Sequence, residues 1–239
     1  MTIQLDGQRV TTTMRTPGHD YELAAGFCQT EGLLGAAPVV GVRYCFDGAA
    51  SESEFNVVTV ETGGAAAPFA PRLGLTSSSC GLCGSDSIDI LAERLSPLDP
   101  QRATRFDVDS FPDLCKRVLD GQGLFNATGA VHGAAAFDRD GTIVVTREDV
   151  GRHNAVDKVV GRLLLDGQLP AHDLGLFVSG RASFEMVQKA WSAGFALLLS
   201  VSAPTSLAVH TARRANLMLA GFVRDDRLNV YSPDRLPVA

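Results

Sequence analysis

From residue 129 onward, short apolar runs alternate with stretches of helical period, and this alternation constrains the fold more than any other feature of the chain. The runs "AVHGAAAF", "TIVVT", "LGLFVSG", "FALLLSV", "AGFVR" and "LNVYS" have the length and composition of strands. Between them, "HNAVDKVVGRLLLDG", "ASFEMVQKAWSAG" and "SLAVHTARRANLML" place apolar residues at helical spacing. Strands and helices that alternate in this way bury their apolar faces against each other, which predicts an α/β domain in which helices layer a sheet. The pattern assigns residues 98–239 to this domain.

The first part reads differently. "IQLDGQRVTTTM" carries an Asp-Gly pair between two alternating segments, the signature of a β-hairpin. A turn at Pro17 and Gly18 leads to "YELAAGFCQTEGLL", a helix by its spacing, with His19 and Asp20 supplying turn chemistry and a cap. "VVGVRYCF" and "EFNVVTVE" form a second strand pair. Residues 1–75 are therefore expected to be a small α+β part. "TGGAAAPFAPRLG" (62–74) has no periodicity and reads as a mobile loop that delivers the chain to "TSSSCGLCGSDS". Residues 76–97 hold this cysteine loop and a helix, "SDSIDILAERL", capped by Ser85 or Asp86. A further helix, "FPDLCKRVLDG", starts after Ser110 with Pro112 in its first turn.

Composition removes several function classes. No apolar run reaches the roughly 18–20 residues that span a bilayer, and "MTIQLDGQRV" has neither the basic head nor the apolar stretch of a secretory signal. The net charge of -6 argues against general nucleic-acid binding. Residues 1–120 hold 9 Lys+Arg against 16 Asp+Glu, a balance of -7, whereas residues 121–239 hold 12 against 11, a balance of +1. An anionic ligand meets less repulsion in the second half. The cysteines, Cys28, Cys45, Cys80, Cys83 and Cys115, are an odd set with three members scattered among apolar neighbours. That usage indicates a reducing compartment, the cytoplasm, with Cys28 and Cys115 as small core residues on helices.

Cys80 and Cys83 stand two residues apart in a Ser/Gly-rich stretch, a spacing compatible with a metal clip, a redox couple or a sulfur-holding site. A structural zinc site needs four ligands, and no second pair or paired histidines accompany this one. The His-x-Glu or Cys-x-Glu of a zinc deaminase is also missing, so no bound catalytic metal is expected. A thioredoxin-like couple fits the spacing but lacks its aromatic strand-to-helix setting. Small neighbours leave the sulfurs reachable, and a helix start after them favours the thiolate. A reachable thiolate can accept a sulfur atom and hold it as a persulfide.

Several long stretches read together: "TMRTPGHDYELAAGF", "TEGLL", "SSCGLCGSDSI", "TGAVHGAAAF", "REDVGRHNAVDKVVG", "VSGRASFEMVQKAWSAGF" and "SAPTSLAVHTARRANLMLAGFVRDDRLNVYS". Over nearly the whole chain they resemble the FdhD/NarQ family, sulfur carrier proteins required for formate dehydrogenase activity. Family members usually carry a few dozen residues before the first motif, whereas this sequence starts almost at the hairpin. The resemblance implies a cytidine deaminase-like mixed sheet layered with helices, a homodimer, and two protein partners, a cysteine desulfurase and formate dehydrogenase. It implies that Cys80 carries a persulfide with Cys83 in support, and that the sulfur passes to the molybdenum cofactor, bis(molybdopterin guanine dinucleotide), for which GDP-like nucleotides are mimics. It maps the cofactor contact onto "FVRDDR", that is Phe222, Val223, Arg224, Asp225, Asp226 and Arg227. By itself "FVRDDRLNVY" would be a charged turn between strands.

Such a cofactor offers phosphates, a guanine edge and flat faces. "EDVGRHNAVDKVVG" places Gly151 and Arg152 before a helix with His153, Asp157 and Lys158, a start suited to a phosphate, with Asp149 or Asp157 available to the guanine. Capping by Asp149 and surface ion pairs explain the same residues equally well. "VSGRASFEM" repeats the scheme with Gly180 and Arg181 at a strand end. His132, on an apolar strand, is a further candidate, although a core role suits a lone histidine there as well. Two readings from different classes result: a sulfurtransferase acting through Cys80, or a cofactor-binding chaperone whose cysteines only clamp a loop.

Overall fold

The computed structural model describes residues 1–45, 49–69, 93–98, 106–224 and 227–232. Near the N-terminus, β1 (Thr2–Leu5) and β2 (Gln8–Thr12) form the expected hairpin. Asp6 and Gly7 both adopt positive φ (48° and 82°), the geometry for which an Asp-Gly pair is suited. β3 (Gly41–Tyr44) runs antiparallel to β4 (Val57–Glu61), and β4 also lies parallel to β1, giving a mixed sheet of order β2-β1-β4-β3. One face packs Ile3, Leu5, Val10, Val58 and Val60 against Ala24, Ala25, Phe27 and Cys28 of α1 (Asp20–Thr30). His19 holds the N-cap position of α1 but makes no side-chain cap, and Asp20 turns instead to Arg15 and Tyr44.

The second sheet has six strands in the order β10-β9-β8-β7-β5-β6: β5 (His132–Asp138), β6 (Ile143–Asp149), β7 (Leu174–Val178), β8 (Leu197–Ser200), β9 (Met218–Arg224) and β10 (Arg227–Ser232). β7, β8 and β9 are parallel neighbours; β5 is antiparallel to β7, β6 to β5, and β10 to β9. Alternation sends Ala134, Ala136, Leu176, Val178, Leu198 and Leu219 to one face and Ala135, Phe137, Phe177, Leu197, Leu199 and Met218 to the other. Both faces are covered, which is why these strands read as near-continuous apolar runs. The first face carries α4 (Arg152–Leu165), α5 (Phe184–Ser192) and α6 (Ser206–Arg214); the second carries α2 (Phe111–Asp120), whose Pro112 sits in the first turn as expected.

Two elements differ from the sequence reading. α6 stops at Arg214, and Asn216 turns the chain with φ 54°, so that Met218–Ala220 form buried strand instead of helix. The helical spacing of "NLML" lost to pairing with β8. A short α3 (Gly123–Thr128) was not legible, because its residues are all exposed and it presents no apolar face to read. Its start is held by Glu148, whose carboxylate accepts the N–H groups of Leu124 (3.0 Å) and Phe125 (2.8 Å). Of the helix expected after Ser85, only Glu93 and Arg94 are described as helical; its cap lies outside the described residues. Leu98 is tied to α6, its N–H donating to the Ala215 carbonyl, and the Trp191 indole donates to Ser96 O.

α1 connects the two sheets by packing on α4 where glycines cross. A Cβ on Gly26 would strike the backbone of Asp157, and one on Gly161 would strike that of Glu22, so the helices meet backbone to backbone. Among the described residues, no helix is long and apolar enough to cross a membrane.

Candidate binding site at the carboxyl edge of the second sheet

Because β5 is antiparallel to β7 and β6 to β5, the start of β5 and the end of β6 fall at the same edge as the carboxyl ends of β7, β8 and β9. His132 pairs with Asp149 across β5 and β6, and Ser179 just after β7 locks to Gly133 through two hydrogen bonds of 2.9 Å. The N-termini of α4, α5 and α6 also open here. Those of α5 and α6 are adjacent, since Ala182 bridges to Pro204 and the Thr205 N–H donates to Ala182 O at 3.0 Å. Three helix starts on one edge sum their positive dipole ends and unpaired N–H groups. Carboxyl ends of strands in α/β sheets are where ligands dock.

The edge gathers most of the residues singled out in the sequence. Gly180 lies against His132 and Arg152: a Cβ there would stand 3.6 Å from His132 Nδ1 and 3.8 Å from Arg152 Cδ. Its carbonyl accepts the Ser200 hydroxyl at 2.7 Å. Arg181 follows on the surface, and Ser183 caps α5 by position but makes no side-chain cap; its buried Oγ has no hydrogen-bond partner. Phe222 has φ 57° and is 42% exposed, although it belongs to a strand. The β9–β10 register is irregular at this point, between Arg227↔Arg224 and Asn229↔Gly221, and such a bulge re-aims a side chain. The Phe222 N–H donates to Ser202 O at 3.2 Å, which ties the bulge to the loop after β8.

Both histidines at this edge are held toward the neutral form. Burial, followed by the charge of Arg152, lowers the His132 pKa. Burial, then Lys189 and Arg152, pushes His153 down to about 4, so it is neutral at physiological pH. Neutral imidazoles beside arginines both donate and accept hydrogen bonds.

Three of the residues expected at the contact have buried side chains. Val223 is 1% exposed and packs into the core under α2, because the bulge that turns Phe222 outward turns its neighbour inward. Asp157 is 1% exposed and accepts hydrogen bonds from Lys189 Nζ (2.9 Å) and Thr30 Oγ1 (2.7 Å). Lys158, also 1% exposed, pairs with the fully buried Asp149 at 2.8 Å. Asp149 and Asp157 therefore offer no free carboxylate to a guanine edge. Arg224 is the last residue of β9 and Arg227 the first of β10, while Asp225 and Asp226 lie outside the described residues. Cys80 and Cys83 lie outside them too. The other cysteines are buried, and burial raises the thiols of Cys28 and Cys115 to about 12. Among the described residues, no group of three or more His, Cys, Asp or Glu side chains is placed to hold a metal ion.

Residues that the sequence reading passed over also build this edge. Ser200 and Ser202 orient the loop after β8, and Met14 and Thr16 reach it from the small sheet. "TMRTPG" signalled a turn, and nothing in its spacing revealed what it would touch.

The model of the FdhD/NarQ family matches residues 1–236. A protein of Nocardia farcinica named sulfur carrier protein FdhD is 47% identical over 233 residues, covering 96% of this chain and 83% of that protein. One of the same name from Mycobacterium tuberculosis is 41% identical over 241 residues, covering 96% of this chain and 86% of its own length. In fold, the chain is similar to a crystal structure described as a formate dehydrogenase accessory protein from Desulfotalea psychrophila, with a TM-score of 0.76 and 24% identity over 99% of this chain and 87% of that one.

Proposed function

The chain belongs to the FdhD/NarQ family, and on that premise we propose that it is a sulfur carrier serving the maturation of formate dehydrogenase. In this reading Cys80 is the carrier and a cysteine desulfurase is the donor. The Cys80 thiolate attacks the outer sulfur of the donor's persulfide; a new S–S bond forms on Cys80, the donor's S–S bond breaks, and the donor thiolate leaves, with no net oxidation. The inert thiols of Cys28 and Cys115 support assigning the sulfur to the pair of Cys80 and Cys83. The acceptor is the molybdenum cofactor, bis(molybdopterin guanine dinucleotide), held as a substrate and not as a resident group. The second sheet and its helices are taken as a cytidine deaminase-like layer reused for this task, in a cytoplasmic homodimer.

One observation carries the reading: His132, Arg152, Gly180, Arg181 and Phe222 converge on an edge where three helices start. Helix N-termini and arginines suit phosphates, and an exposed phenyl ring suits the face of a base. Cys80 is eleven residues beyond Phe69, a reach of up to about 40 Å. After incubation with desulfurase and cysteine, the protein gains about 32 Da at Cys80, one sulfur atom, seen by mass spectrometry of the peptide. Cys80→Ala abolishes the gain and formate dehydrogenase activation but leaves GDP binding intact. If Cys80→Ser supports activation as well as the parent does, the cysteines are only a clamp and the chaperone reading replaces this one.

A further inference from the structure

We infer that Thr16, on the connection between β2 and α1, is a positioning residue for the phosphate-facing turn that opens α4. The inference rests on the anion-binding reading of this edge. Thr16 spends all three of its polar groups on that turn: its N–H donates to Asp149 Oδ2 (3.0 Å), its hydroxyl accepts the Val150 N–H (2.9 Å), and its carbonyl accepts Lys158 Nζ (3.0 Å).

α4 needs this help because its N-cap residue is Gly151, which has no side chain to cap with. The work falls to neighbours. Asp149 accepts the Gly151 N–H at 2.9 Å and Asn154 Nδ2 at 3.0 Å through Oδ1, and it holds Thr16 and Lys158 through Oδ2. Asn154 Nδ2 also donates to Met14 O at 2.7 Å. The turn amides of Val150 and Gly151 are thereby taken up from behind, and the first N–H groups of α4 and the side chain of Arg152 are set toward the edge. Arg152 then sits beside Gly180, close enough that a Cβ there would touch it. A residue of the small sheet's connection thus sets the geometry of a site built on the large sheet.

Thr16→Val removes the hydroxyl but keeps the backbone bonds to Asp149 and Lys158. Val150 is 51% exposed, so water replaces the lost partner and the fold survives. Titration of the full chain with GDP gives a loss of affinity of roughly threefold to tenfold for Thr16→Val, while Thr16→Ser stays within about twofold of the parent. Thermal melting of both variants stays close to the parent. Arg152→Ala and Arg181→Ala are measured alongside. If these two bind GDP weakly while Thr16→Val binds like the parent, the site stands and the positioning role is wrong. If Thr16→Ser loses as much as Thr16→Val, the hydroxyl is not what acts. If the arginine variants bind GDP as the parent does, the anion site falls and this inference falls with it.

Discussion

Phe222 shows how much one backbone angle decides at the residue scale. A left-handed φ in a strand costs energy for a non-glycine residue, and here it accompanies a ring turned outward at a sheet edge. If the ring stacks on a base, Phe222→Ala lowers GDP affinity by about 1–3 kcal/mol and leaves affinity for inorganic pyrophosphate nearly unchanged, as calorimetry will show. His153 makes a second test. Its folded pKa of about 4 lies below its ordinary 6.5, so the unfolded chain binds the extra proton first as pH falls. Its effect on stability is absent above pH 6.5 and turns unfavourable between 6.5 and 4. Urea titrations at pH 7.5 and 4.5 therefore show the parent losing about 2.5 kcal/mol more than His153→Gln. The positions of Gly180 and Arg181 at a strand end were legible because the strand was, whereas His132, read as lying within a strand, opens β5 instead. The inward turn of Val223 was not, because a bulge shifts alternation by one residue and leaves no mark in composition.

Elements obey a similar division. Hairpin, strands and most helices follow from turn residues and apolar period, and the Asp-Gly pair even specifies its turn. The end of α6 does not, since "NLML" satisfies a helix locally and is taken by β9 only because β8 offers a buried parallel partner. The crossing of α1 and α4 depends on glycines that read as weak points in each helix taken alone. Gly161→Ala forces a methyl group into the Glu22 backbone. Overpacking of this kind costs roughly 1–3 kcal/mol, measured as a lower urea midpoint with an unchanged slope. Gly167→Ala, in the turn after α4 with no atom within 4 Å of its added carbon, has a positive φ and tests strain without overpacking.

On the scale of the whole molecule, buried ions fasten the small sheet to the large one. Lys189 on α5 meets Asp157 of α4 (2.9 Å) together with Thr30 (2.9 Å) and Glu31 (3.2 Å) at the end of α1. Arg147 of β6 grips Glu22 of α1 with two hydrogen bonds. Burial is the strongest influence on Asp157 and raises its pKa to about 6, against the attraction of Lys189. Asp157→Ala leaves Lys189 deprived of its nearest carboxylate in the interior and costs about 3–5 kcal/mol, read from chemical denaturation. The pair Asp157→Leu with Lys189→Met recovers part of that loss, because Lys189 no longer stands as a buried charge without its nearest carboxylate, although Glu31 gives up its contact with Lys189.

The sequence by itself determined the α/β alternation, the hairpin, the family resemblance and the glycine-arginine strand ends, because turn chemistry and apolar period are local properties of the chain. Only the tertiary structure decided that Asp157, Lys158 and Asp149 face inward and that Thr16 reaches the start of α4. Those outcomes depend on which surfaces are covered when α1 docks on α4. Local spacing holds no record of a partner more than a hundred residues away.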